Sequence, residues 1–370
     1  MDEKILNRLE TWMRKGKAPP LRIEIWPTYR CNLKCRFCRE TFSKSTNEVS
    51  GRKLLSLLIE LAKFGAEECF IGGGGEPFMR KNVTLSLIKT SKKLGLLCFV
   101  NTNGSLLLEK DIRKIVYFGL DEIAVSIHGP DSITHDNLVN KRGAFEKVKR
   151  TIQLLNKIKK EMGKDTPKIS IWTVLTNKNF DKIQSMIKLA HEYEASTLLF
   201  FPMRINFPSA NKLSMREKEI NKFMEIVDES KNLLKKYKIN SNLLEFREEK
   251  FIEDANNVDK ILLSDISQKK DFFTIPCYEP WYYITITPTG KIGPCAALTM
   301  ESPLSINSGK IEEMWYGEYF KQIREKLFQH EIINMCKKCC IDKIFESARI
   351  RTELRNRNKL GNKTLKIANL

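Results

Sequence analysis

The chain has 370 residues, 42% of them hydrophobic, with 64 Lys and Arg against 45 Asp and Glu and a net charge of +19. That apolar content suffices for a packed core and excludes disorder for the bulk of the chain. No long unbroken apolar run occurs, and the opening MDEKILNRLETWMRKGK carries acids at once, so neither a membrane span nor a secretory signal is expected.

The expected compartment is the cytoplasm, where thiols stay reduced, and the 10 cysteines then point to metal or redox work before disulfides. The basic residues are dispersed and lack interleaved aromatics, which argues for a solvated basic surface over a nucleic-acid partner.

After a short N-terminal helix (residues 1–20), β-branched-rich runs alternate with longer amphipathic segments. Strands are expected at Leu21–Trp26, Glu68–Ile71, Leu97–Asn101, Glu122–Ile127, Lys168–Val174 and Thr197–Phe201. Helices are expected at Arg52–Phe64, Val83–Leu94, Leu108–Phe118, Ala144–Met162, Asp181–His191 and Met215–Tyr237. This is the rhythm of a parallel sheet with right-handed crossovers, an α/β fold that curls into a partial (β/α)6 TIM-like barrel over residues 21–240. Polar and Gly residues gather just after the strands, on the rim where such barrels build their sites.

Residues 241–270 read as a linker and 271–340 as a small Cys-rich second domain. Residues 341–370 form a basic tail, in which Arg349, Arg351, Arg355 and Arg357 do not share one helical face and suggest a solvated terminal helix.

Directly after the first strand stands Cys31-Asn-Leu-Lys-Cys35-Arg-Phe37-Cys38. Three thiolates at this spacing suit an iron–sulfur cluster and leave one iron without a protein ligand. A structural zinc ion wants four ligands, and the first histidine of the chain is His128.

This loop, with Phe37 before its last cysteine, resembles the radical S-adenosylmethionine (radical SAM) superfamily. Gly73-Gly74-Gly75-Glu76-Pro77 after the second strand is similar to that family's GGEP motif, and Thr102-Asn103-Gly104 after the third to its TNG. Val125-Ser126-Ile127-His128-Gly129-Pro130 resembles VSIDGP, with His128 in place of the Asp.

The resemblance implies that Cys31, Cys35 and Cys38 hold a [4Fe-4S] cluster whose open iron chelates S-adenosylmethionine. Gly73, Gly74, Gly75, Glu76 and Pro77 would meet its methionine ammonium, Asn103 and Ser126 its ribose or carboxylate, and Phe37 its adenine. The family's carboxylate-binding Arg three residues after a His-Asp pair is absent after His135-Asp136; Lys141 or Arg142 would stand in, and Arg142 is carried as the candidate.

The later cysteines, Cys277, Cys295, Cys336, Cys339 and Cys340, resemble the auxiliary-cluster domain called SPASM in its long form and twitch in its short one. They are too few for two clusters. One auxiliary [4Fe-4S] cluster on Cys277, Cys295, Cys336 and Cys339 is expected, Cys340 being the spare or the replacement for Cys339; four thiolates would also satisfy zinc. Cys69 and Cys98 read as small buried side chains.

The family chemistry is reductive cleavage to a 5′-deoxyadenosyl radical, which takes a hydrogen atom from an unactivated carbon. A fully ligated second cluster suits net oxidation, so a radical SAM oxidoreductase is expected, dehydrogenating a small hydroxylated or amino metabolite as an aminocyclitol dehydrogenase of the family does.

The alternatives are a maturase that modifies a ribosomal peptide and, below it, an RNA-modifying enzyme. The expected partners are the substrate and an electron donor such as flavodoxin or ferredoxin. No catalytic side chain is assigned; Arg204 is a rim candidate, and the ends of strands five and six with Glu279–Tyr283 are the expected substrate pocket.

Overall fold

The structure, a computed structural model, describes residues 2–38, 47–203, 210–248, 270–338 and 341–360. Arg204, Cys339, Cys340, most of the expected linker and the last ten residues lie outside them. The strands are β1 (Arg22–Ile25), β2 (Glu68–Ile71), β3 (Leu97–Thr102), β4 (Glu122–Ser126), β5 (Lys168–Leu175), β6 (Thr197–Pro202), β7 (Tyr283–Ile286) and β8 (Ile292–Gly293). Their order in the sheet is β6-β5-β4-β3-β2-β1-β7-β8. The fold is the expected partial TIM-like barrel, with the expected strands and helices met to within two residues or so at most ends.

Two compact units divide the chain, and β2 passes from one to the other. The larger unit holds Trp26–Gly51 and Phe70–Glu253. In it β3, β4, β5 and β6 pair in parallel, with Asn101 level with Ala124 and Ser126 level with Trp172. Helices α3 (Lys81–Lys93), α4 (Glu109–Phe118), α5 (Ser132–Val139), α6 (Ala144–Glu161), α7 (Ile183–Glu192) and α8 (Glu217–Tyr237) alternate with the strands.

The period-2 rule of strands explains the layering. On β3, Cys98, Val100 and Thr102 are buried while Phe99 and Asn101 on the opposite face are only half-buried. The same alternation puts Ile171 and Thr173 behind β5 and Trp172 and Val174 in front. Helices supply the rest of that core through Leu87, Ile112, Ile115, Val148, Ile152 and Ile187, all fully buried. Each such side chain contributes roughly 1.5–3 kcal/mol by leaving water.

The smaller unit holds Met1–Ile25, Arg52–Cys69 and Asp254–Leu370. Its β1 pairs in parallel with β7, Arg22 level with Tyr283, and β7 turns back on β8 as an antiparallel hairpin. Helix α1 (Glu3–Lys15) starts on Asp2, whose carboxylate accepts from Lys4 N–H, and stops at Gly16 with φ 67°. Its Trp12 indole donates to Trp281 O at 2.6 Å, and Trp315 donates to Ala18 O at 2.8 Å. Arg324 lies over both indoles at 4.6 and 4.5 Å and donates to the carbonyls of Pro280 and Trp315.

The basic tail departs from the expected solvated helix. Ile341–Leu360 is a helix that buries Ile350 and Leu354, and Arg351, 3% exposed, donates to the carbonyls of Ile275 and Pro276 at 3.0 and 3.2 Å. Arg357 pairs with Glu3 and Glu10. Arginine stems pack as apolar matter while the guanidinium satisfies carbonyls, which counting basic residues does not reveal.

Candidate cluster and cofactor site

The loop after β1 is tied down from several sides. Glu48 accepts from Thr28 Oγ1 and from Tyr29 N–H, and Arg80 donates to Pro27 O and Val49 O. The backbone N–H groups of Lys34 and Arg36 donate to the carbonyls of Val139 and Leu138, at 3.3 and 2.9 Å. Cys35 packs on Leu33, Val139 and Ala144.

Within the loop Leu33 N–H donates to the Cys31 sulfur at 3.4 Å, and Asn103 Nδ2 approaches the same sulfur at 3.9 Å. Asn103 is fixed by donating to Asn32 Oδ1 at 3.0 Å and accepting from Ser105, while Asn32 donates to Ser105 Oγ. Asn32 and Ser105 were not singled out from sequence, although they stand inside the two motifs.

Burial pushes the Cys31 and Cys35 thiols up, and the neighbouring cysteine sulfurs push the same way. As thiolates they call for positive charge beside them, which cluster iron supplies. The donor set therefore fits the expected group.

The glycine run is explained by close approach. Gly73 and Gly74 have φ of 77° and 63°, where side chains are strained. A Cβ on Gly73 would stand 2.1 Å from Trp26 Nε1, and one on Gly75 would stand 2.2 Å from Arg30 O. The run lies flat on the segment leading into the cysteines, with Gly75 N–H donating to Thr28 O and Glu76 N–H to Arg30 O. Thus the four glycines have a packing reason of their own, which the motif alone did not reveal.

Glu76 is buried, and its carboxylate accepts from Phe78 N–H, Thr102 Oγ1 and Asn103 N–H at 3.0, 2.7 and 2.7 Å. Burial raises its pKa against those three bonds. Two buried donors next to this loop have no partner among the described residues, Trp26 Nε1 beside Gly73 and Asn101 Nδ2 beside Gly72. Unfilled N–H groups along a glycine shelf fit a ligand with oxygen acceptors, such as the carboxylate and ribose of S-adenosylmethionine.

Phe37 meets His128 edge-on at 4.7 Å between ring centres. His128 Nδ1 accepts from Val174 N–H at 3.2 Å, and His135 Nδ1 accepts from His128 N–H at 3.1 Å. Burial drives both imidazoles down, His135 to about 4, so both are neutral and carry their proton on Nε2. Pro77 is buried at the start of a short 3-10 turn, and Ser126 closes β4, half-buried.

Arg142 is exposed and lines an open depression of about 450 Å³ with Ser132, Ile133, Asp136, Asn137, Asn140 and Lys141. Among the described residues, no hydrogen bond or ion pair joins it to Gly73–Glu76.

The half-buried faces of the strands carry a further group, in which Trp172, expected in the pocket from the end of strand five, meets Phe70 and Phe201, which the sequence did not single out. Phe70 stacks on Trp172 at 5.9 Å and 11°, and Trp172 meets Phe201 at 5.0 Å. Ala124, small and level with Asn101 and Ser170, leaves room for the rings to meet in front of β4. Trp172 Nε1 and Ser170 Oγ are also buried without partners among the described residues.

In the smaller unit Cys277, Cys295 and Cys336 lie within electrostatic reach of one another, and burial raises all three thiols, Cys336 to about 11. Leu298 N–H donates to the Cys295 sulfur at 3.4 Å. Glu279 raises the same thiols and pairs with Lys343 at 3.1 Å. Cys69 and Cys98 are fully buried, as expected. Among the described residues no three Cys, His, Asp or Glu side chains are grouped as for a single metal ion, and no helix is long and apolar enough to cross a membrane.

The sequence model of the radical SAM superfamily matches residues 25–190, and that of the SPASM iron–sulfur cluster-binding domain matches residues 277–340. An AdoMet-dependent heme synthase of Methanosarcina barkeri is 26% identical over 331 residues, 88% of this chain and 89% of that protein. Among solved structures, Streptococcus suis SuiB bound to S-adenosylmethionine aligns over 87% of this chain and 72% of its own, at 17% identity and a TM-score of 0.62. The enzyme anSMEcpe with bound AdoMet and the Cp18Cys peptide aligns over 92% of this chain and 98% of its own, at 19% identity and a TM-score of 0.62.

Proposed function

The chain belongs to the radical SAM superfamily and carries a SPASM iron–sulfur domain, and on that premise we propose that it oxidises a planar tetrapyrrole laid against Phe70, Trp172 and Phe201. The cofactors are S-adenosylmethionine, its [4Fe-4S] cluster and auxiliary iron–sulfur centres. Once bound, they supply one-electron cleavage of the sulfonium, hydrogen-atom removal from unactivated carbon and an acceptor for the electron left behind.

Cys31, Cys35 and Cys38 hold the first cluster, and Asn103, braced by Asn32 and Ser105, fixes the loop around it. Trp26 Nε1 and Asn101 Nδ2 offer hydrogen bonds to the cofactor's oxygens. Phe37, held edge-on by neutral His128, covers the adenine and keeps water from it. Cys277, Cys295 and Cys336 would hold the second centre together with Cys339, or Cys340 in its place, both outside the described residues.

The observation that carries the substrate class is the aromatic wall: Trp172 in contact with Phe70 on one side and with Phe201 on another, on a half-buried face, its own N–H without a partner among the described residues. Such a surface stacks a flat conjugated ring better than a small hydroxylated metabolite, whose hydroxyls need a polar lining. The heme synthase relative, matched over most of both chains, agrees with this class. A peptide substrate is the second reading, favoured by the fold shared with anSMEcpe in complex with a peptide.

Anaerobic assays decide between them. With dithionite and S-adenosylmethionine, an iron porphyrin should raise 5′-deoxyadenosine release several-fold and be converted to an oxidised product. Stimulation by a peptide or an aminocyclitol, with none by tetrapyrroles, would overturn the assignment.

A further inference from the structure

The last helix, Ile341–Leu360, begins directly after the cysteines that end the second set, and it turns a polar stripe back towards the first of them. Lys343, Ser347 and Arg351 stand four residues apart, so the helix places them on one face. Each meets a successive step of the segment 275–279. Arg351 donates to the carbonyls of Ile275 and Pro276, Ser347 accepts from Tyr278 N–H at 3.4 Å, and Lys343 Nζ stands 3.1 Å from the Glu279 carboxylate. The two segments therefore run in opposite directions, with Cys277 in the middle of the contact.

A clasp that only held backbone would need no more than Arg351. The other two side chains act on the charge around the sulfur. The Ser347 hydroxyl and Glu279 N–H both donate to the Cys277 sulfur, and Leu298 N–H donates to that of Cys295 at 3.4 Å. Donors converging on sulfur suit thiolate ligands, so these cysteines fit an iron–sulfur centre. Glu279 sets a buried carboxylate two residues from Cys277, and its negative charge opposes reduction of a site that is already anionic. Lys343 offsets it, the ammonium bridging Glu279 and Glu346 at 3.1 and 2.9 Å. Away from water such charges count for more.

We propose that Ser347 and Lys343 are positioning residues that raise the reduction potential of the auxiliary centre, so that it can take the electron left by substrate oxidation. The inference rests on the auxiliary-centre reading of Cys277, Cys295 and Cys336. The substrate radical gives one electron to the centre and one proton to water; no bond to the centre forms or breaks. A hydroxyl donor on a ligating sulfur and a cation nearby both favour the reduced, more negative state.

The test is a redox titration, followed by electron paramagnetic resonance, of the full-length, anaerobically reconstituted protein; the auxiliary signal is the one that S-adenosylmethionine leaves unchanged. Ser347→Ala deletes one oxygen and suits a helix, Lys343→Met keeps the stem without the charge, and Lys343→Arg keeps the charge. At the potential that half-reduces the wild-type auxiliary centre, the oxidised-to-reduced ratio should rise about tenfold in Ser347→Ala and in Lys343→Met, a shift of about 59 mV for one electron. Lys343→Arg, and the first cluster in every variant, should keep wild-type values. Ser347→Ala with full iron and an unmoved potential would overturn the inference alone. Loss of auxiliary iron without a shift in the potential of the remainder would overturn it too, leaving a structural clasp. A wild-type protein without auxiliary iron would remove the reading of the cysteines and the inference together.

Discussion

Glu76 accepts from Phe78 N–H, Thr102 Oγ1 and Asn103 N–H, so Glu76→Ala strands three buried donors. The expected cost is roughly 2–4 kcal/mol, since each unmet buried group costs about 1–3 kcal/mol and some regain water. Calorimetry should record it as a lowered Tm, together with weaker S-adenosylmethionine binding through the released Asn103.

His135 is tested by acid. Its folded pKa is depressed to about 4 by burial, below the ordinary 6.5, so the unfolded chain binds the proton first as pH falls. Stability present above about pH 6.5 is thus lost on the way down towards about pH 4, to the extent of about 3 kcal/mol. His135→Asn keeps an acceptor for His128 N–H and should flatten the fall of Tm across that window; an unchanged slope would contradict the assignment.

Cysteine spacing and the glycine run were legible as residues. The Asn32–Asn103–Ser105 brace was not, because it joins side chains about seventy positions apart and each is an ordinary loop residue in its own segment.

Among the helices between the barrel strands, α5 is one the periodicity missed. Its apolar residues do not repeat at helical spacing, and Ile133 points to solvent; the legible sign was Asp131, whose side chain caps Thr134 N–H. The parallel pairing of β1 with β7 was equally hidden, since Arg22 and Tyr283 are brought level only by the tertiary fold.

The helix Ile341–Leu360 holds the carbonyls that lead into Cys277 through Arg351. Arg351→Ala should destabilise the protein by roughly 2–4 kcal/mol and lower auxiliary-cluster content while the first cluster persists. Iron analysis with electron paramagnetic resonance checks this. On β5, Trp172→Phe keeps the stacking but removes the N–H donor, whereas Trp172→Ala removes both. The expected order of tetrapyrrole affinity is wild type, then Phe, then Ala at about tenfold weaker or more, measured by quenching of tryptophan fluorescence.

For the molecule as a whole, the two cysteine sets belong to different compact units. Removing Cys31, Cys35 and Cys38 together should cost about four irons per chain and abolish S-adenosylmethionine cleavage. Removing Cys277 and Cys295 should cost the auxiliary iron and spare cleavage uncoupled from product. The barrel rhythm was legible because each βα unit writes its own periodicity. The composition of the units was not, because the smaller one gathers pieces from three separate stretches of chain.

That gathering has a consequence for how the protein is made. Arg357 pairs with Glu3, and Arg351 buttresses the approach to Cys277, so the smaller unit cannot close while the ribosome still holds the helix Ile341–Leu360. The larger unit has all its residues by Glu253. Synthesis therefore imposes an order of maturation, in which the radical-generating site can be assembled and charged with iron while the auxiliary site still waits for its last helix.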